Sequence, residues 1–162
     1  MMCMCCDRLR SCASEFWRVI ADIIEPCYHC LMSLPQPQKR RIKASCAALP
    51  GLALLYFFGS RARGDDGPLS DYDFAAFFNP RSRASLPRQQ LKLMGDLMRI
   101  LKSDKVDMVV LNKTTNSILK SNVIRDGQLV FERSGFRDSF ETASLHEYFD
   151  FRIMESRCFK QP

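Results

Sequence analysis

No stretch of this 162-residue chain approaches the roughly 18 or more uninterrupted apolar residues of a transmembrane helix, so a membrane span is not expected. No secretory signal, with a clean apolar core and a small-residue cleavage site, is read before the cysteines, so a reducing, cytoplasmic setting is the expectation rather than a secreted disulfide framework. No second ligand pair follows Cys27-x-x-Cys30, with His29 between: only Cys46 and Cys158 lie downstream, so structural thiols are expected there rather than a zinc site. Internal repeats and low-complexity tracts are absent as well. A stacked-aromatic or basic-helix signature is missing too, although the net charge of +6 and the KRRIK cluster at 39 to 43 would suit a polyanion. Nor is there length for two ordinary domains, and one domain with a proper core is the expectation.

What is present divides unevenly. Apolar residues make up 46% of the chain and charged residues 26%, the balance of a globular protein. Five of the eight cysteines fall in the first 27 residues. Residues 1–34 read as a Cys-rich N-terminal extension with one amphipathic helix over 14–25, where Phe16, Trp17, Ile20, Ile23 and Ile24 recur at helical spacing until Pro26. Met32 stands just before the proline-punctuated segment SLPQPQ, 33 to 38, so residues 1 to 31 are either a genuine extension or a mis-assigned start. SLPQPQ itself reads as a linker, and KRRIKASCAAL as a helix ending before Pro50 and Gly51.

From Leu52 the order is regular. LALLYFF is a buried strand, DYDFAAFF a second, RASLPRQQLKLMGDLMRILK a helix and VDMVVLN a third, central strand. TTNSILKSNVIRDG suits a short helix and QLVFE a strand after an Asp126-Gly127 turn. Residues 138 to 158 form a closing amphipathic helix whose Phe140, Leu145, Tyr148, Phe149, Ile153 and Met154 serve the core or a docking surface. Strands alternating with helices over 35–162 predict an α/β or α+β domain with a mostly buried sheet.

The chemistry concentrates in FFGSRARGDDGPLSDYDF, residues 57 to 74. Alternation along a strand puts Asp71 and Asp73 on one face, roughly 6.6 Å apart, a spacing at which two carboxylates can share metal ions. With 12 aspartates in the chain, about one D-x-D arises by chance, so the pair draws its meaning from its surroundings. Asp107 interrupts an otherwise apolar strand, where a charge is costly unless a partner or a metal receives it. Gly59 and Ser60 end a strand where bare backbone can approach a ligand, and Arg61 and Arg63 follow, together a candidate phosphate cradle.

These elements, G-S-R-A-R-G, then S-D-Y-D-F, then V-D-M-V-V-L, resemble the minimal nucleotidyltransferase (MNT) family of the polymerase beta superfamily over about residues 37 to 160. Phe74 stands where the family usually has leucine. The resemblance implies the α+β form, a polymerase-beta-type fold with a small mixed sheet flanked by helices, and a nucleotidyltransferase. In it Asp71, Asp73 and Asp107 would be both catalytic and metal-binding and would hold two Mg²⁺ ions, while Gly59, Ser60, Arg61 and Arg63 would bind ATP. It further implies an antitoxin that transfers AMP to a tyrosine of a HEPN-type toxin partner, with no membrane or nucleic acid required. A small-molecule adenylyltransferase of the antibiotic-modifying type and a catalytically silent binding antitoxin are the alternatives it leaves.

Overall fold

The computed structural model describes residues 34–65, 67, 70–82 and 84–158. The helix expected over 14–25 and the Cys27/Cys30 pair lie outside the described residues. Those described form helix α1 (Gln36–Ala47), strand β1 (Leu52–Phe58), a short helix α2 (Gly59–Arg63), β2 (Tyr72–Phe78), α3 (Leu86–Leu101), β3 (Val106–Val110), α4 (Ser117–Asp126), β4 (Gln128–Glu132) and α5 (Arg137–Cys158).

The four strands make one mixed sheet in the order β3-β2-β1-β4. β1 runs antiparallel to both β2 and β4, and β2 runs parallel to β3. LALLYFF has no polar alternation because it is covered on both faces. Leu55, Phe57, Phe74 and Phe78 pack with Ile42 and Cys46 of α1 and Leu93 and Leu97 of α3. Leu54, Tyr56 and Ala75 pack on the other face with Val123 of α4 and Phe140 of α5. The catalytic candidates thus sit on a sheet held from both sides, with the α4–α5 layer over the face that carries Asp73.

Three expectations are corrected. The proline-punctuated linker is shorter than expected, because α1 starts at Gln36 with Pro35 as its N-cap and a proline in its first turn. Proline suits that place: its fixed φ is helical and its missing N–H has no partner to lose there. β3 is an edge strand, not a central one, and Asp107 is exposed. The desolvation argument for Asp107 therefore falls away. Asp126-Gly127 is no hairpin turn either: α4 runs through Asp126, and Gly127, with φ −81°, leads straight into β4, whose partner is β1.

α5 forms over the expected span, but only its first half reaches the core. Phe140 and Ser144 are buried, whereas Phe149, Phe151, Ile153 and Met154 are exposed. The first half is tied down by Tyr56, whose hydroxyl donates to Glu141 Oε1 at 2.9 Å while Arg137 Nε donates to the same oxygen at 2.9 Å.

Candidate active site

Parallel register places Asp73 of β2 directly beside Asp107 of β3, and Tyr72 beside Val106. Register neighbours on adjacent strands share a face, and Asp71, which stands just before β2 begins at Tyr72, lies within electrostatic reach of Asp73. The carboxylates feel one another. Partial burial, then Asp107, then Asp71 hold the Asp73 carboxyl above its ordinary value of 3.8, and Arg63 offsets part of that rise. Asp107 Oδ1 accepts the Met108 amide at 2.8 Å, which fixes the carboxylate's orientation and leaves its second oxygen for other work.

The Gly-Ser turn lies alongside, because Phe58, the last residue of β1, is the register partner of Asp73. Gly59 has φ +81°, and a Cβ added there would land inside the Asp73 carboxylate. Only glycine allows both the backbone conformation and the close approach. α2 follows at once and is closed by Gly64 at φ +84° and by the Asp65 amide, which donates to the Ser60 carbonyl at 3.0 Å.

The two arginines part company. Arg63 lowers the pKa of both Asp73 and Asp126 and lies 3.2 Å from Asp65, so its guanidinium serves the carboxylate face. Arg61 places its guanidinium carbon 4.2 Å above the Tyr72 ring and donates from Nε to the Ser70 carbonyl at 2.8 Å. Tyr72 packs with the opposite sheet face. Arg61 thereby staples the loop between α2 and β2 to the strand that presents the aspartates. Ser70 adds to that loop by accepting the Gly67 amide on Oγ at 2.9 Å.

Two supports escaped the sequence reading. Gln128 Nε2 donates to the Ala62 carbonyl at 3.2 Å and so props α2 from below. Asp126, held low in pKa chiefly by its bond to Arg125, lies within electrostatic reach of Arg63. Asp126 ends α4 and Gln128 opens β4, on either side of Gly127, and no local pattern there signals a long-range prop.

Among the described residues, no three carboxylate, imidazole or thiolate side chains close into a ready-made metal cage. The donor chemistry nonetheless suits Mg²⁺, because Asp71, Asp73 and Asp107 offer oxygen only and sit close enough to raise the Asp73 pKa. A divalent cation would relieve that repulsion.

The family model described as "Polymerase beta, Nucleotidyltransferase" matches residues 40–135. The chain belongs to this family. Its matched span takes in β1, the Gly-Ser turn, Asp71, Asp73 and Asp107. A protein adenylyltransferase MntA of Aphanizomenon flos-aquae is 33% identical, over 57% of this chain and 64% of that protein. The chain thus spans less than two thirds of that relative's length. Among solved structures, a toxin-antitoxin with AMP-PNP superposes with a TM-score of 0.60 at 21% identity, covering 75% of this chain and 94% of that one. A tri-AMPylated Shewanella oneidensis HEPN toxin in complex with MNT antitoxin gives 0.56 at 20% identity, covering 76% and 94%. These structural likenesses show the same fold, a small mixed sheet flanked by helices.

Proposed function

We propose that the chain is a Mg²⁺-dependent nucleotidyltransferase that moves AMP from ATP onto a hydroxyl, a tyrosine of a HEPN-type toxin partner, and so acts as a cytoplasmic antitoxin. The register pairing of Asp73 with Asp107 beside the Gly59–Arg63 turn, in a chain of this family, carries the proposal. The adenylyltransferase named above and the solved complexes support the choice of AMP and of a protein acceptor.

Asp71, Asp73 and Asp107 would hold two Mg²⁺ ions, which supply charge neutralisation at the phosphates and at the entering and leaving oxygens. The residues of the chain do the rest. Gly59 lets the backbone approach the triphosphate, Ser60 offers its amide and hydroxyl, and Arg63 balances the charge gathering on the departing pyrophosphate. Arg61 holds the loop that orients Asp71 and Asp73. The acceptor oxygen bonds to the α-phosphorus, the bond to the β-phosphate bridging oxygen breaks, and Asp107, with one oxygen uncommitted, takes the hydroxyl proton.

The test is transfer of α-³²P label from ATP to a purified HEPN-type toxin with Mg²⁺. Labelled tyrosine from the wild type, and none from Asp73→Asn, is the expected result. Neutralisation of the toxin by Asp73→Asn without label would assign the chain to silent occlusion instead.

A further inference from the structure

Four of the six large apolar side chains exposed on the described surface lie within six residues of one helix, Phe149, Phe151, Ile153 and Met154 of α5. Beyond Glu147, which pairs with Lys120 of α4 at 2.7 Å, this helix projects as a tail exposed along nearly its whole length. At 100° per residue, Asp150, Ile153, Met154 and Arg157 share one side of the tail, with Phe149 and Phe151 on its flanks. Arg152 and Glu155 are paired with each other within the helix and point away from that side. Asp150 and Arg157 have no ion-pair partner among the described residues.

We infer that this face of α5 is a self-association surface, on which a second copy of the chain packs its own α5 antiparallel across a two-fold axis between Ile153 and Met154. The pattern is self-complementary about that point. Asp150 and Arg157 stand two turns apart, about 10.5 Å, and are equidistant from the axis. Turning a copy through 180° sets each Asp150 against the Arg157 of the other copy, twice, around an apolar centre of Ile153 and Met154 from both chains. A parallel pair would instead put like charge on like charge. Antiparallel helices also set their dipoles head to tail.

The surface is built before it is used, because Tyr56, Glu141 and Arg137 anchor the first half of the helix to the sheet. Two short helical tails bury less than the roughly 1,600 Å² of a standard interface, so the dimer is reversible and concentration-dependent. It uses none of the three aspartates and does not depend on the activity proposed for them.

Sedimentation equilibrium of the full chain over a concentration series tests it. The wild type is expected to show a monomer–dimer equilibrium. Asp150→Arg and Arg157→Asp, each counted twice by symmetry, should weaken the dimer about tenfold. The double reversal Asp150→Arg with Arg157→Asp should restore it to within about threefold. Met154→Lys, with unchanged circular dichroism, should leave monomer alone. A wild type that stays monomeric throughout, a dimer indifferent to the single reversals, or a double reversal that fails to recover in a natively folded protein would each overturn the inference. A tail shielded only by a different protein would do so as well.

Discussion

Asp73 carries a cost in the protein as folded. Its carboxyl is half-buried beside Asp107 and Asp71, and all three influences raise its pKa. A raised folded-state pKa favours the protonated form, so this contribution to stability is complete below the ordinary value of 3.8 and is lost as pH rises through the raised one. At neutral pH the metal-free protein therefore holds a destabilising charge. Asp73→Asn should raise the melting temperature of metal-free protein at pH 7 by about 1–3 °C, and the gain should shrink as the pH falls toward 4. Differential scanning calorimetry across that range checks the sign; a lower melting temperature at pH 7 would contradict it. The two arginines separate by the same logic of surroundings. Arg63→Met should weaken nucleotide binding about tenfold with little change in stability, because its ion pair with Asp65 is exposed. Arg61→Met should instead cost about 1–2 kcal/mol in urea unfolding, through the lost Tyr72 contact and the Ser70 bond.

At the scale of the element, the strands were legible and the props were not. LALLYFF is a strand over the expected residues, because a continuous apolar run of that length fits only a strand covered on both faces. DYDFAAFF was readable too, except at its start: β2 begins at Tyr72, so Asp73 lies on the strand and Asp71 just ahead of it. Position within the sheet is another matter. VDMVVL looks central by composition yet lies at the edge, because its burial comes from α3 and the sheet core on one face and not from strands on both sides. On α5 the expectation left core and docking surface open, because the apolar residues continue past the end of the surface it packs on and periodicity carries no information about where a neighbour stops. The Tyr56–Glu141–Arg137 cluster is likewise long-range and unsignalled. Burial and Glu141 hold the Tyr56 hydroxyl protonated far above its ordinary range. Tyr56→Phe should lower stability by about 1 kcal/mol and no more, since Glu141 keeps Arg137. Urea titration against the wild type measures it, and a loss above about 3 kcal/mol would mean that the tether does more than hold α5.

At the scale of the whole molecule, the two faces of the sheet have different duties. One is sealed by α1 and α3 and contains Ile42, Phe57, Phe74 and Leu93, all fully buried. The other is covered by α4 and half of α5, and leaves uncovered the corner where β2, β3 and α2 bring together Asp73, Asp107 and Gly59. The sealed face and the buried β1 support that corner from beneath, which would suit the task proposed for it, placing phosphates and charge. The measurement that bears most directly on the account is calorimetric titration of the chain with a non-hydrolysable ATP analogue, with Mg²⁺ and then with EDTA. Binding that requires Mg²⁺ and is lost in Asp71→Asn, Asp73→Asn and Asp107→Asn alike, each natively folded, is the predicted result. Binding that persists in EDTA, or that survives removal of these carboxylates, would contradict it.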